Sequence, residues 1–123
     1  MGRCKEGINI QQIKRGEIYM VDLEARSGSS QSGLRPAVII QNDTGNKYSP
    51  TTIIAPMTSK TKANIPTHIH LEKQEGGLAK ESTILCEQIT VIDKERLRKR
   101  IGTLSSNKID EVNKRIRVSL GIN

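Results

Sequence analysis

The sequence predicts a mostly β fold with a minor α part: five to seven strands in a curled antiparallel sheet or small barrel, closed by one C-terminal helix. Three observations predict it. The 123 residues contain no Phe or Trp and only Tyr19 and Tyr48 as aromatics, so Ile and Val must fill the core, and β-branched side chains suit a pleated, half-buried surface. Apolar runs of strand length recur along the chain, separated by clusters of Gly, Pro, Asn, Asp and Ser. Helical periodicity is confined to residues 105–121.

Residues 16–23, GEIYMVDL, form a compact strand led into by IKR. Residues 28–33, GSSQSG, are too polar and flexible for a core and read as a loop. Pro36 then opens a continuous apolar strand, PAVIIQN, in the middle of the sheet, Pro being tolerated at a strand's first position. DTGNKYSP is dense in turn formers and reads as a loop. TTIIAPMT is a strand in which Pro56 marks the end or an irregular edge. In THIHLE, Ile69 and Leu71 share one face and His68 and His70 the other. EGGL is a turn, and STILCEQITVI is the longest β-run. Asp93 caps a short turn through KERL before RKRIGTL returns to strand. Ser105 or Ser106 caps the helix, with Ile109, Val112, Ile116 and Leu120 at spacings of three and four and Gly121 past its end. Residues 1–12 form a loose extension before a single domain over 13–123.

No apolar run approaches the roughly 18 residues of a membrane span, and MGRCKEGINI lacks the apolar stretch of a secretory signal. Cys4 and Cys86 make no disulfide framework, and Cys86, inside an apolar run, behaves as a small hydrophobe. A reduced, cytoplasmic protein is expected. Net charge is +7, and residues 91–123 hold nine Lys and Arg against four Asp and Glu. That basic third suits a polyanion, nucleic acid or an acidic protein segment; it is equally the pattern of a solvated helix face.

GSSQSG precedes a strand rather than a helix, so it is no nucleotide-phosphate loop. His68 and His70 face one way, but two ligands without nearby Cys or carboxylate partners make a poor metal site, and surface histidines are expected. No Ser-His-Asp or Cys-His pattern is evident. Arg35 and Thr58 remain. Arg35 stands at the mouth of a buried strand behind the small loop, where a guanidinium either pairs structurally with a carboxylate or carbonyl or meets an anionic ligand. Thr58 closes its strand as an ordinary threonine or as a hydroxyl donor.

The runs KRGEIYMVDL, GSSQSGLRPAVIIQNDTGNKYSPTTIIAPMTSK, PTHIHL, STILCEQITVIDKERL and VSLG, in order over residues 13–122, resemble the MazF/PemK family of toxins from toxin–antitoxin modules. The resemblance implies a CcdB/PemK-like (SH3-like) β-barrel, a homodimer, and metal-independent cleavage of single-stranded RNA to a 2′,3′-cyclic phosphate and a 5′-hydroxyl. It implies no cofactor, and a cognate antitoxin that blocks the site with an acidic C-terminal segment. The family's catalytic arginine falls on Arg35 and its catalytic hydroxyl on Thr58. RNA-facing positions fall on Ser29, Gln31, Asn42, Thr67, Glu87 and Gln88. The chain departs from the family loop at Ser30, where many members carry an acidic residue, and at Ser32, where Gly or Ala is usual, so cleavage-site preference does not transfer.

In such a reaction the substrate's own 2′-hydroxyl attacks the adjacent phosphorus. Arg35 suits an electrostatic clamp on the phosphorane and a proton donor to the leaving oxygen; it is a poor base. Thr58 suits a hydrogen bond to the non-bridging oxygen or the 2′-hydroxyl, and Glu87 is a candidate base that nothing in the sequence places within reach. Two rival readings are a non-enzymatic toxin of the same fold that poisons DNA gyrase and a single-strand nucleic-acid-binding module. The first uses an aromatic C-terminus, whereas this chain ends SLGIN. The second stacks bases on aromatics, of which there are two.

Overall fold

The computed structural model describes residues 12–23, 33–59 and 65–123. The strands are β1 (Glu17–Leu23), β2 (Gly33–Ile39), β3 (Thr51–Thr58), β4 (His68–Leu71), β5 (Ser82–Leu85), β6 (Thr90–Asp93) and β7 (Leu97–Thr103); the helices are α1 (Asp43–Tyr48) and α2 (Ser106–Leu120). All seven strands join one antiparallel sheet in the order β4-β5-β3-β2-β1-β7, with β6 paired to β3. The loose extension expected over residues 1–12 and the polar loop before β2 lie almost wholly outside the described residues.

β3 is the fork of this sheet. Its first half, from Thr51 to Ile54, pairs with β6, and its end, Met57 and Thr58, pairs with β5. Ala55 and Pro56 fall between these two ladders, while Pro56 still faces Ala37 of β2. A proline lacks the N–H that a ladder needs, and the fork is where β3 can hold one without losing a bond. Pro56 is therefore internal to the strand rather than its end. Pro36 is also internal, opposite Met20, because β2 begins at Gly33.

The continuous apolar run of β2 is explained by burial on both faces. Val38 packs with Ile18, Met57, Ile84 and Val112 in one core, which α2 covers through Ile109 and Ile116. Ala37 and Ile39 pack with Tyr19, Val21, Ile54 and Leu97 in a second core inside the curl of the sheet. Two register shifts between β1 and β7, on either side of Tyr19, break the ladder there, and such bulges increase local twist.

Three sequence expectations change. DTGNKYSP is not a loop: it holds α1. The Asn42 carboxamide caps that helix by accepting the Gly45 N–H at 2.8 Å. Asn46 is fully buried; its side chain accepts from Thr52 Oγ1 at 2.7 Å and its carbonyl accepts from the buried Lys94 ammonium. STILCEQITVI is not one strand, because the Cys86 N–H leaves the ladder to bond the Thr67 carbonyl at 3.0 Å. Residues 86–88 then turn as a single 3₁₀ turn between β5 and β6. In α2, Ser105 is the cap and Gly121 ends the helix in the left-handed region. Leu120, expected on the buried face, is 54% exposed.

The turn at residues 75–77 crosses β7 backbone to backbone. A side chain on Gly102 would strike the Gly76 carbonyl, and Gly77, at φ +87°, lies against the Ile101 carbonyl. This crossing builds one wall of the cleft described next.

Candidate functional site

β2 and β3 bring Arg35 and Thr58 to the same end of the sheet. Their ladder contains Ala37 opposite Pro56. The ladder stops at that pair; by alternation Arg35 and Thr58, each two residues further on, lie on the same face of their strands. Arg35 is half-buried and is the third residue of β2 rather than its mouth, opposite Val21 of β1 without a register shift. Thr58 is 2% exposed and faces Thr83 of β5, which faces His70 of β4. Thr58, Thr83 and His70 thus form one row across three strands.

Side chains of the opposite parity meet on the other face. There a cleft of about 500 Å³ has Met20, Leu34, Pro36, Met57, Leu78 and Ile101 among its apolar walls. Lys80, Lys99 and Arg100 line it as cations, and Arg35 and Ser59 line it where β2 begins and β3 ends. Arg100 is engaged by Glu17, at 3.3 Å. Lys80 and Lys99 share the cleft lining with Arg35, and clustered cations of this kind suit an anionic ligand.

Thr67, Glu87 and Gln88 come together at the corner between β4 and β5. Glu87 receives the Thr67 hydroxyl on Oε1 at 2.9 Å and the His68 ring on Oε2 at 3.0 Å. Burial pushes the Glu87 carboxyl up, but the hydrogen bonds from His68, from backbone N–H and from Thr67 outweigh it, and the net position is below the ordinary 4.5. A carboxylate held ionised with both oxygens engaged is a weak proton acceptor. This argues against Glu87 as the base of a cleavage step.

The histidines differ from the surface pair expected. The His68 side chain is only 8% exposed and pairs with Glu87; His70 is 54% exposed and lies 3.6 Å from Glu72. Carboxylates do surround them: His70, Glu72 and Glu81 bring ligand atoms within 4.8 Å of one another, all three exposed. His68 is the residue that sequence reasoning missed. Alternation placed it on the correct face, but its partner lies 19 residues away across a corner that no local pattern marks.

Asn42 is not brought to Arg35. It lies seven residues further on, past the end of β2, and its side chain caps α1. Ser29 and Gln31, with the loop departures Ser30 and Ser32, lie outside the described residues. Cys86 is fully buried, and burial pushes its thiol up to about 12, so it is no nucleophile.

Comparisons with known proteins bear on the same features. The family described as PemK-like, MazF-like toxin of type II toxin–antitoxin system matches residues 14–120. An endoribonuclease MazF of Staphylococcus saprophyticus is 52% identical over 111 residues, 89% of this chain and 92% of that protein. The fold is similar to that of MazF from Deinococcus radiodurans, with a TM-score of 0.77 at 20% identity over 89% of this chain and 97% of that one. It is also similar to a mycobacterial endoribonuclease solved in complex with its cognate antitoxin, with a TM-score of 0.76 at 20% identity over 90% and 97% of the two chains. The strand order and a family match spanning the whole sheet and α2 lead to one conclusion: this chain belongs to the PemK-like, MazF-like toxins of type II toxin–antitoxin systems.

Proposed function

We propose that this chain is a sequence-specific endoribonuclease that cuts single-stranded RNA by transesterification. The observation that supports the reading is that the β2–β3 ladder brings Arg35 and Thr58 to the same end of the sheet, beside the basic cleft. In the reaction the 2′-oxygen bonds to the adjacent phosphorus and loses its proton, the bond from phosphorus to the 5′-oxygen breaks, and that oxygen gains a proton. The products are a 2′,3′-cyclic phosphate and a 5′-hydroxyl. No activated water takes part.

Arg35 is the clamp. A planar guanidinium meets two phosphate oxygens at once and stays charged at every working pH. On a strand paired on both sides it is held in place before charge develops, which is the condition for electrostatic stabilisation. The same residue can protonate the leaving oxygen. Thr58 donates its hydroxyl to the non-bridging oxygen or orients the 2′-hydroxyl. The 2% exposure of Thr58 means the strand must enter along the β2–β3 end for this contact to form. The proton acceptor for the 2′-hydroxyl is unassigned.

The functional unit is a homodimer in the cytoplasm. Asn42, an RNA-facing position by family resemblance, lies past the other end of β2 from Arg35 and caps α1; a groove containing both is completed by a second copy. The antitoxin partner presents an acidic segment, which the lysines of the basic cleft favour.

Incubation of the chain with single-stranded RNA in chelator, followed by end-group analysis, tests the reading. Discrete fragments with cyclic phosphate and 5′-hydroxyl ends are expected. Binding without fragments would return the chain to a single-strand-binding role, and inhibition of DNA gyrase without RNA cleavage would make it a non-enzymatic toxin.

A further inference from the structure

Beyond the clamp at Arg35, the corner between β4 and β5 contains a preset carboxylate. The Thr67 hydroxyl donates to one Glu87 oxygen at 2.9 Å, and the other oxygen lies 3.0 Å from His68 Nε2. A carboxylate only accepts, so Nε2 carries the hydrogen in this pair. The imidazole is 8% exposed and the Glu87 side chain 33% exposed: the tether is covered while its carboxylate keeps an open side. The backbone beneath is held as well. The Cys86 N–H bonds the Thr67 carbonyl at 3.0 Å, and Arg115 of α2 donates to the Pro66 carbonyl at 2.9 Å.

A fixed anion beside an RNA path repels phosphate, so what it can attract is a donor on a base. We propose that His68 is a positioning residue for substrate recognition: together with Thr67 it locks the Glu87 carboxylate, which accepts from the amino group of one base of the RNA. The bases that qualify are cytosine through N4, adenine through N6 and guanine through N2; uracil presents no amino group and is disfavoured at that position. The two Glu87 oxygens offer four acceptor sites; Thr67, His68 and a backbone N–H take three, and the remaining one is left for the base. An untethered glutamate would swing among rotamers and discriminate less. This inference rests on the reading that RNA passes Thr67 and Glu87.

The test uses the full chain and single-stranded RNAs carrying each of the four bases at every position around the cut. It resolves kcat and KM separately and includes a melting curve for each variant. Wild type is expected to prefer an amino-bearing base over uracil at one position, and Glu87→Gln is expected to lose that preference. His68→Phe keeps a planar ring and removes the donor; it should flatten the preference at the same position by about 10-fold, through KM with kcat little changed. His68→Gln, which restores an N–H, should recover most of it. The double variant His68→Phe with Glu87→Gln should be no flatter than Glu87→Gln alone, as expected of two residues acting as one unit. Should His68→Phe fail to fold, Thr67→Val removes the other tether and should flatten the same position.

A folded His68→Phe protein with wild-type base preference overturns the proposal. So does an equal loss of rate on all substrates, which marks His68 as merely structural. Unchanged preference in Glu87→Gln overturns it together with Glu87's place on the RNA path. Failure of the wild type to cut any RNA is the separate failure of the ribonuclease reading.

Discussion

Arg35→Ala separates a catalytic guanidinium from a structural one, and the fold sets the expected size of each effect. Arg35 is half-buried on a strand paired through Val21 to β1. Its backbone belongs to the ladder whatever the side chain, so truncation leaves the strand pairing intact. A half-buried side chain lost without a core cavity costs about 1 kcal/mol of stability, or roughly 4 °C in Tm for a domain of this size. The loss of one preorganised donor in a reacting site costs about 10²-fold or more in rate, close to 3 kcal/mol of transition-state stabilisation. Activity should therefore fall a hundredfold in a protein that still melts within a few degrees of wild type. Arg35→Lys should recover little, because an ammonium cannot make the planar two-point contact. Thr58→Ala should cost rate too, by less than Arg35→Ala. The assay is single-turnover cleavage of a single-stranded RNA in chelator, with a melting curve for each variant. A folded Arg35→Ala protein cutting at near wild-type rate would remove Arg35 from the mechanism and refute the site.

RNA affinity should fall steadily as salt rises, and Arg117→Glu, at the exposed end of α2, should weaken binding of RNA or antitoxin with the melting curve unchanged; titrations at two salt concentrations check this, and identical affinities would make the basic end a solvated face only. With Cys4 replaced by Ser, the native protein should resist alkylation at pH 8, because Cys86 is fully buried with its thiol pushed up to about 12, and should react once unfolded in urea. The Glu87 carboxyl lies below its ordinary 4.5 in the folded chain. Its contribution to stability is therefore present above that value and lost as pH falls through the lower folded one. Melting curves from pH 6 to pH 3 should show a smaller acid loss in Glu87→Gln than in wild type, and identical acid slopes would show that the tethers to Glu87 add nothing to stability.

What the sequence made legible was whatever depends on local alternation or motif. The apolar run of β2 announced burial on two faces, and both cores use it through Val38 on one side and Ala37 and Ile39 on the other. The cap at Ser105 and the stop at Gly121 were readable because capping chemistry is local. What escaped depends on distant partners. α1 is six residues of poor helix formers, held by a cap and by a lysine 48 residues further on that donates to Asn46. Pro56 is internal because two ladders divide at β3, which no local window contains. In the site, Arg35 and Thr58 were reachable through family motifs, and the fold carries both to the same end of two paired strands. The tie between His68 and Glu87 was not reachable, since alternation assigns a face but not the side chain that covers it.

The pairing of β1 with β7 joins Glu17 to Thr103, the two ends of the domain. During synthesis β1, β2 and β3 are all made before β7, and until β7 emerges β1 is an open edge. The inner core meanwhile lacks Leu97. At about 5–20 residues per second, the 45 residues between Thr58 and Thr103 take several seconds to translate. The strands that hold Arg35 and Thr58 therefore exist as chain well before they are braced as a sheet.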